Sequence, residues 1–341
     1  MASEKILSID GGQGEGGGQI LRTACTLSAV LGIPFEISNI RANRQKPGLK
    51  AQHLAAIRAI ASICDAELSG DALNSTFLRF EPTSSIKAGD YFWDIGTAGS
   101  STLVFQTVLP ALALAAEPSS VSIRGGTHNP FAPTADYLIH VYQPILANLG
   151  WVFTIESPMA GYYPLGGGEL CAEISQSLPI PFEISAADSA EVQAIVQTSN
   201  LPDDVAARGA RRVKQRLGNI PCEVVHAPSI GIGASVLIYA TGPIRAGFSS
   251  LGERGKRMEL VVDEAVVAYE SWCETKLVDE YLADQLVVIA ALTPGKSSWE
   301  VAHSTDHLAT VIHLVQEFGV KAELTNTSRG TTKVTVNGNL T

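Results

Sequence analysis

Apolar and polar positions recur along the chain in one order: a glycine-rich or polar start, an apolar helix, a short β run, a second helix and a β-rich close. The first copy predicts strands at KILSID, PFEIS, AELS and TFLRF and helices at GQILRTACTLSAVL and KAQHLAAIRAIASI. The second predicts helices at STLVFQTVLPALALA and TADYLIHVYQPILANL, with strands at SVSIRG, WVFTIES and GELCAEI. The third predicts helices at EYLADQLVVIAAL and DHLATVIHLVQEF, with strands at SWEVAH, VKAELT and TKVTVN. This pattern indicates an α/β chain built from a repeated unit.

A break in the spacing predicts an insertion between the second and third copies. Ala66, Val152 and Lys321 each begin the stretch that follows the second helix of a copy. The separation along the chain between Val152 and Lys321 is about twice that between Ala66 and Val152. The extra chain runs from about Pro179 to about Thr275. It predicts strands at PFEIS, PCEVVHA and ASVLIYA, helices at DDVAARGARRVKQRL and MELVVDEAVVAYESW, and loops at SIGIGAS and AGFSSLGERG. We therefore expect residues 1–178 and 276–341 to form a repeated-unit catalytic domain, and residues 179–275 an inserted α/β domain.

Composition narrows the class of protein further. The 341 residues are 45% hydrophobic and 17% charged, which is enough apolar material for a sizeable core. No apolar run approaches the ~18 residues that a membrane span needs, and the first residues lack the pattern of a signal peptide, so we expect a cytoplasmic protein without membrane partners. The five cysteines form no C-x-x-C pair and indicate neither a disulfide framework nor a zinc site. The net charge of −10 argues against a broad basic surface for nucleic acid, but it allows a local basic groove.

A glycine-dense turn, DGGQGEGGGQI, separates the first strand from the first helix, and its backbone N–H groups could hold phosphate oxygens. Gly12, Gly14 and Gly17 also satisfy the dinucleotide-binding pattern G-x-G-x-x-G, which remains an alternative, as does a tight turn without a ligand. Glu15 inside the loop would repel a pyrophosphate unless a divalent cation lay between them. A P-loop is excluded because Gly18 stands where its lysine should be.

The segment NIRANRQKPGLKAQH is a local basic site in an acidic protein. It carries Arg41, Arg44, Lys46 and Lys50 within ten residues, followed by Gln52 and His53. Arginine suits bidentate capture of phosphate, although such runs are also common as solvated surface loops. The segment follows the strand next to the glycine turn, which favours a shared cleft.

Of the seven histidines, His303 and His307 are the two whose positions suggest chemistry. Ser304 or Thr305 is a good helix N-cap, which places His307 in the first helical turn. The positive end of the helix dipole disfavours the imidazolium there and keeps a neutral ring nitrogen available as a nucleophile. A plain structural histidine and a metal pair of His303 with His307 remain alternatives.

Taken together, these segments resemble the RNA 3′-terminal phosphate cyclase family over essentially the whole chain. The resemblance is carried by DGGQGEGGGQILR, IRANRQKPGLKAQHL, GTAGSSTLVFQTVLPAL, GGTHNPFAPTADY, EYLADQL and the histidine of DHLAT, in the family's order. It implies an α/β fold of three repeated units, each a four-stranded sheet under two helices, plus a smaller inserted α/β domain. The sequence departs from the family's pattern at Gly11-Gly12, where Gly-Ala or Gly-Ser is also expected, and at His128, where an acid is expected.

The resemblance also implies an activity and its residues. It implies an ATP-dependent conversion of an RNA 3′-phosphate to a 2′,3′-cyclic phosphate, in which His307 takes AMP from ATP and the nucleotide then passes to the RNA end. Glu15 would hold Mg²⁺ or Mn²⁺. The residues expected along the phosphate and RNA path are Arg22, Arg41, Arg44, Gln52 and His53. Those expected around the nucleotide are Gln106, Pro133, Tyr281, Leu282, Ala283, Asp284 and Gln285.

Three other functions compete with this interpretation. A cyclase-like RNA-processing or ribosome-assembly factor of the same superfamily would lack the histidine nucleophile. An enolpyruvyl transferase is built from similar units, but fold likeness alone does not carry function, and the chain has no comparable motif match to that family. A lysine-based ligase is disfavoured because K-x-D-G is absent. The oligomeric state is left open, with a homodimer as one alternative.

Overall fold

The computed structural model describes residues 6–14, 17–186, 190–242 and 244–339. Four separate four-stranded sheets organise this part of the chain. Three of them share one strand order and one pattern of parallel and antiparallel pairing, which confirms the repeated unit that the sequence predicts.

The first unit forms a sheet with the order β1-β2-β4-β3. Its elements are β1 (Leu7–Asp10), α1 (Gly18–Leu31), β2 (Phe35–Ser38), α2 (Ala51–Ile63), β3 (Glu67–Ser69) and β4 (Leu78–Glu81). Strands β1 and β2 are parallel, and the remaining pairs are antiparallel. Helix α1 ends at Gly32, whose φ of 67° is in the left-handed region that glycine adopts without steric cost.

The second unit repeats this arrangement with the order β5-β6-β8-β7. Its elements are β5 (Asp90–Asp94), α3 (Ser101–Ala113), β6 (Ser119–Gly125), α4 (Ala135–Tyr137), α5 (Gln143–Asn148), β7 (Phe153–Met159) and β8 (Gly168–Ile174). A π-helical segment, Leu138–Tyr142, joins α4 to α5, so the predicted helix is present but wider in its middle. Pro144 is two residues beyond this segment, and its missing N–H and bulky ring disfavour regular α-helix in the preceding turn.

The third unit has the order β15-β16-β14-β9. Its elements are β9 (Glu183–Ile184), α8 (Glu280–Ala291), β14 (Gly295–Val301), α9 (Asp306–Glu317), β15 (Lys321–Asn326) and β16 (Thr332–Gly338). The strand predicted at PFEIS is therefore β9, and it pairs in parallel with β14 in this sheet. The chain leaves the third unit after its first strand and returns at the first helix.

Between β9 and α8 the chain forms a fourth sheet, with the order β11-β10-β12-β13. Its elements are β10 (Glu191–Ser199), α6 (Asp203–Leu217), β11 (Cys222–His226), β12 (Gly233–Thr241), β13 (Ala246–Leu251) and α7 (Met258–Trp272). Its apolar side chains form a core of their own, with Val196, Ile238 and Val262 fully buried. The predicted division at residues 179 and 275 stays a prediction.

The helices of the three repeated units pack against one another and share one core. Helix α1 contacts α2, α3 and α9, and α8 contacts α9. Large side chains such as Trp151 and Trp299 are fully buried in this core. The start of α1 is close to the start of α9, since the second residue of each helix, Gln19 and His307, are hydrogen-bonded to each other.

Three strands differ from the sequence-based expectation. The AGFSS segment was expected to be a loop, but it is β13. Its Gly247 passes so close to Tyr137 that an added Cβ would lie 2.7 Å from the ring atom Cδ2, so this glycine marks a close approach rather than a turn. Strands β5 and β10 were not predicted. Strand β5 has three adjacent aromatic residues between two aspartates, and the last six residues of β10 are all buried, so neither sequence alternates between apolar and polar residues.

Within the described residues, no helix combines the length and apolar character that crossing a bilayer requires. The predicted cytoplasmic location stays a prediction.

Candidate active site

His307 lies where the sequence predicts, in the first turn of α9. Thr305 is the N-cap of this helix, and its Oγ1 accepts a hydrogen bond from the backbone N–H of Leu308 at 3.1 Å. The N–H groups of the first turn point toward the same end of the helix as the imidazole of His307. Their partial positive charge suits an anionic ligand beside the ring.

Gln19 connects His307 to Asp284. It stands in the first turn of α1, directly after the glycine turn. Its Oε1 is hydrogen-bonded to Nδ1 of His307, and its Nε2 donates to Oδ2 of Asp284 at 2.5 Å. One side chain of the first unit thereby contacts both helices of the third unit.

Asp284 is a half-buried carboxylate in the wall of this pocket. Burial raises the pKa of Asp284 to about 6, against the opposing effects of the Gln19 hydrogen bond, His307 and Arg22. Burial also lowers the pKa of Arg22 to about 10, although the charge of Asp284 favours the guanidinium form. At neutral pH the pair therefore carries opposite charges in a region of low dielectric, where their attraction is stronger than in water.

Gln106 and Gln285 meet in the pocket next to this pair. Nε2 of Gln106 donates to Oε1 of Gln285 at 2.6 Å, which joins α3 to α8. The pocket is also lined by Gln19, Arg22 and Asp284. The structure therefore brings four of the residues predicted for the nucleotide and phosphate path to one place.

Pro133 borders the same helix. Its carbonyl oxygen accepts a hydrogen bond of 2.8 Å from Oγ1 of Thr102. Thr102 and Gln106 are four residues apart on α3 and so share one helix face. Pro133 is thus held one helical turn away from Gln106.

The YLADQ segment divides according to helical periodicity. Tyr281, Asp284 and Gln285 lie on one face of α8, since residues three and four apart are neighbours on a helix. Tyr281 is 52% exposed, whereas Leu282 and Ala283 are buried in the core. The side chains of Leu282 and Ala283 pack the helix in place rather than lining the pocket.

Asp279 fixes the start of α8. Its carboxylate accepts hydrogen bonds from the backbone N–H groups of Tyr281, at 3.0 Å, and Leu282, at 2.9 Å. The hydroxyl of Tyr137 donates to both of its oxygens. Burial raises the pKa of Asp279 to about 6, although these hydrogen bonds favour its ionised form. This cap holds the helix that carries Asp284 and Gln285.

His53 lies beneath the start of α1. A Cβ added at Gly18 would be 2.4 Å from Nε2 of His53 and 3.1 Å from an Nη atom of Arg22, so glycine is required for this contact. Burial, followed by the charges of Arg22, Arg41 and Lys50, lowers the pKa of His53 to about 3. The ring is therefore neutral at pH 7. Its Nδ1 accepts from the backbone N–H of Lys50 at 3.1 Å, which leaves the proton on Nε2, facing Gly18 and Arg22.

The basic loop that precedes α2 is folded by one of its own arginines. Nη1 of Arg41 donates to the carbonyl oxygens of Lys46, at 2.9 Å, and Gly48, at 3.0 Å. Burial and the charge of Arg44 lower the pKa of Arg41. Arg44 is exposed and approaches Gly17, where an added Cβ would lie 3.8 Å from one of its Nη atoms.

Gln52 occupies the second position of α2 and packs against the second unit. A Cβ added at Gly99 would lie 2.9 Å from the Cβ of Gln52. Gln52 therefore lies where α2 meets the loop that leads into α3.

Glu15, the predicted metal ligand, lies outside the described residues. Among those that are described, no group of three or more His, Cys, Asp or Glu side chains is placed to hold a metal ion, and His303 belongs to none.

His128 belongs to a different network. Its Nδ1 is 2.8 Å from Oγ1 of Thr127, and its Nε2 is 3.1 Å from Oδ2 of Asp136. Gln197, on β10, also contacts the ring. This histidine therefore lies where the second unit meets the inserted unit.

Two contacts of the site had no predicted role. Gln19 directly follows the glycine turn, but nothing in the sequence indicates that it reaches both α8 and α9. Thr310 was not singled out, yet it packs directly on Gly14. The available signal was position: Gln19 is in the first turn of α1, and Thr310 lies three residues after His307 on the same face of α9.

Comparison with known proteins supports one class. The family model described as RNA 3′-terminal phosphate cyclase matches residues 13–324. A protein named RNA 3′-terminal phosphate cyclase from Gloeothece citriformis is 39% identical over 329 residues, which covers 92% of this chain and 94% of that protein. The protein of the same name from Methylococcus capsulatus is 38% identical over 98% of this chain and 97% of its own length. One from Pyrobaculum aerophilum is 38% identical over 91% of this chain and 92% of its own.

Among solved structures, the enolpyruvyl transferase NikO from Streptomyces tendae aligns with a TM-score of 0.41 and 11% identity, covering 97% of this chain and 48% of that one. The chain therefore spans about half the length of that structure.

The chain is an α/β enzyme built from repeated units, with a polar site at the junction of those units. A histidine, a carboxylate and an arginine come together in this site. The chain belongs to the RNA 3′-terminal phosphate cyclase family.

Proposed function

We propose that this enzyme converts the 3′-terminal phosphate of an RNA to a 2′,3′-cyclic phosphate, using ATP and a covalent adenylate on His307. The observation that carries the proposal is the position of Gln19, which contacts both His307 and Asp284. The predicted nucleophile, the YLADQ segment and the residue that follows the glycine turn thus meet at one place.

The first step transfers AMP to the enzyme. A ring nitrogen of His307 attacks the α-phosphorus of ATP, a nitrogen–phosphorus bond forms, and the bond from that phosphorus to the bridging oxygen breaks as pyrophosphate leaves. Arg22 lines the pocket beside Gln19, and it and the N–H groups of the first turn of α9 would stabilise the negative charge that develops on the phosphates. Gln106, Gln285 and Asp284 line the adjoining pocket and would contact the nucleoside.

The next two steps occur on the RNA. An oxygen of the 3′-phosphate attacks the adenylate phosphorus, the bond to His307 breaks, and the RNA end becomes a mixed anhydride with AMP. The neighbouring 2′-hydroxyl then attacks the RNA phosphorus, loses its proton, closes the ring and expels AMP. The adenylate is needed because a phosphate monoester has no good leaving group of its own.

The basic loop and His53 would receive the RNA phosphate. His53 is neutral and presents an Nε2–H donor, whereas Arg41 and Arg44 supply positive charge, so together they suit a dianionic phosphate end. Arg44 lies next to Gly17 and His53 next to Gly18, beside the start of α1, where Gln19 contacts His307.

A divalent cation is expected in the family, and Glu15 is the residue proposed to hold it. Mg²⁺ in such sites commonly binds one or two carboxylates together with nucleotide phosphates, so the triphosphate would complete its coordination. The cation would neutralise charge on the phosphates, and no step above is assigned to it.

The test uses an oligoribonucleotide with a 3′-phosphate, incubated with ATP and Mg²⁺ and then treated with phosphatase. We expect the treated end to become resistant to phosphatase, and we expect a matched oligonucleotide with a 3′-hydroxyl to remain unchanged. The variant His307→Asn should leave the 3′-phosphate sensitive to phosphatase. If the native enzyme binds the oligonucleotide but never protects its end, the protein is a binding factor and the proposal is wrong.

A further inference from the structure

An uncharged, apolar surface lies where the second unit meets the inserted unit. It is formed by the loops at residues 129–133, 160–167 and 228–232, which we call the apolar loop surface. None of these residues carries a charge, although 17% of the chain is charged. Five large apolar side chains on it are more than half exposed, namely Phe131, Tyr163, Leu165, Ile230 and Ile232. Contiguous exposed apolar surface commonly marks the binding site of another molecule.

Contacts between the loops make the apolar loop surface continuous. The carbonyl oxygen of Gly161 accepts a hydrogen bond of 3.0 Å from the backbone N–H of His128, which holds the first loop beside the second. A Cβ added at Gly167 would lie 2.3 Å from Cδ1 of Ile230, so the absence of a side chain at Gly167 lets Ile230 pack against the second loop. The exposed side chains therefore belong to one surface.

The loop that precedes α3 connects the apolar loop surface to the predicted RNA path. The carbonyl oxygen of Ala98 accepts a hydrogen bond of 2.6 Å from Nδ2 of Asn129. A Cβ added at Gly166 would lie 2.7 Å from Cα of Ala98, so the second loop also packs on this residue. The next residue of the same loop, Gly99, packs against Gln52. The apolar loop surface thus begins one loop away from a residue predicted to line the RNA path.

The chemistry of this surface fits nucleobases better than phosphates. Phosphate oxygens need cations or N–H donors, which the basic loop supplies and uncharged side chains do not. The faces of bases are flat and apolar, and they stack on aromatic side chains in proteins that bind single strands. Phe131 has a φ of 61°, which is unfavourable for a bulky residue, and yet its ring is fully exposed. Phe131 and Tyr163 therefore present two aromatic rings to which a base can bind.

We propose that the apolar loop surface binds the unpaired bases that precede the terminal phosphate of the RNA, with Phe131 and Tyr163 as stacking platforms. The inference rests on the proposed function, because it extends the path of the same RNA beyond its 3′-phosphate. The basic loop holds the phosphate by charge, and the apolar loop surface holds the bases by stacking. Every base has an aromatic face, so the surface accepts RNA ends of any sequence, provided that their bases are unpaired.

The experiment measures binding of a 3′-phosphorylated decaribonucleotide by fluorescence anisotropy without ATP, at several salt concentrations. A second decanucleotide carries abasic residues at its second to fourth positions, counted from the phosphate. Tyr163→Ala and Ile232→Ala are compared with the wild type and with two controls. Tyr163→Phe keeps the ring, and Leu178→Ala removes a side chain that is 79% exposed beyond the opposite end of β8.

We expect Tyr163→Ala to bind the complete decanucleotide about 5- to 100-fold more weakly than the wild type, as for other side chains that stack on bases. Ile232→Ala should show a smaller loss. Both losses should be the same at every salt concentration, since no charge is removed. Both variants should bind the abasic decanucleotide as the wild type does, and Tyr163→Phe and Leu178→Ala should match the wild type with both RNAs.

Two results would overturn the inference. One is equal affinity of the wild type for the complete and the abasic decanucleotide, or wild-type affinity of Tyr163→Ala for the complete one. The other concerns a second copy of this chain as the occupant, which sedimentation velocity tests. A wild-type dimer that becomes a monomer in Tyr163→Ala, with RNA affinity unchanged, would show that the surface joins two copies and does not bind RNA.

Failure of this inference is distinguishable from failure of the proposed function. If the wild type closes the ring on 3′-phosphorylated RNA while Tyr163→Ala binds that RNA normally, only the inference is wrong. If the wild type binds decanucleotides with a 3′-phosphate and a 3′-hydroxyl equally and never closes the ring, the proposed function fails, and the inference fails with it.

Discussion

Gly14 packs directly against Thr310: a Cβ added to the glycine would lie 2.1 Å from Oγ1 of the threonine. The glycine turn of the first unit therefore rests on α9, one helical turn after His307. Gly14 has a φ of 56°, so it meets two requirements at once, a left-handed backbone and space for Thr310. This contact fixes the distance between the glycine turn and the predicted nucleophile.

Replacing Gly14 with alanine should displace the glycine turn from α9. The left-handed backbone costs about 1–2 kcal/mol for alanine, and the overlap with Thr310 adds to it. We expect a lower free energy of unfolding in urea. We also expect a lower rate of formation of the covalent enzyme–adenylate adduct with ATP, since the turn must move away from His307.

Gly32→Ala is the matched control for that variant. Gly32 has a φ of 67° and no atom within 4 Å of its added Cβ, so it shares the backbone cost without the overlap. We expect its unfolding free energy to fall by about 1 kcal/mol while its adduct rate is unchanged. Equal losses of activity in the two alanine variants would show that the contact with Thr310 does not matter.

Arg44 should contribute to RNA affinity through charge. For single-stranded nucleic acid, each phosphate contact contributes about −0.7 to the slope of log K against log salt concentration. We therefore expect Arg44→Ala to weaken binding of a 3′-phosphorylated oligoribonucleotide and to reduce the magnitude of that slope by about 0.7. Fluorescence anisotropy without ATP, at several salt concentrations, measures both quantities.

Arg211→Ala, on α6 of the inserted unit, removes the same charge from a different part of the protein. Its affinity and salt slope should match those of the wild type. If the two variants change the slope equally, the effect is one of net charge and the basic loop is not a phosphate site.

The repeated unit was predictable from the sequence because its helices have strong apolar periodicity. Helices α1, α3 and α9 begin and end close to the predicted residues. Short strands were harder, because β9 has only two residues and its sheet is determined by pairing with β14, far along the chain. The loop prediction around Gly247 was wrong for another reason. A glycine whose missing side chain leaves room for Tyr137 looks in the sequence like a glycine in a turn.

The candidate site was predictable in its residues but not in its connections. Family motifs indicated His307 and Asp284, and helical periodicity separates Asp284 and Gln285 from the core residues Leu282 and Ala283. The contacts of Gln19 depend on the first turn of α1 reaching side chains of both α8 and α9, which is a property of packing between units. No local pattern in the sequence contains that information.

The pH dependence of stability should report the half-buried carboxylate of Asp284. Its pKa is raised by burial to about 6 from an ordinary value of 3.8, so between these values the folded protein binds more protons than the unfolded chain. Stability must then fall as pH rises from about 4 to about 6, and it should be level with respect to this group above that range. A shift of this size corresponds to about 2–3 kcal/mol.

Asp284→Asn isolates this contribution. Asn can still accept from Nε2 of Gln19 through its own oxygen, so the hydrogen bond need not be lost. Asp279, whose pKa burial also raises to about 6, titrates in both proteins and cancels in the difference. We expect urea unfolding to show the variant gaining stability relative to the wild type between pH 4 and pH 6.5. A constant difference across that range would contradict a raised pKa for Asp284.

The central claim is that His307 carries the adenylate, and the site of modification tests it most directly. The enzyme is incubated with ATP and Mg²⁺, digested under alkaline conditions that preserve a nitrogen–phosphorus bond, and mapped by tandem mass spectrometry. We predict one adenylate on the peptide that contains His307, lost on mild acid treatment and absent from His307→Asn. An adenylate on another residue, or an unchanged adduct in His307→Asn, would contradict the account.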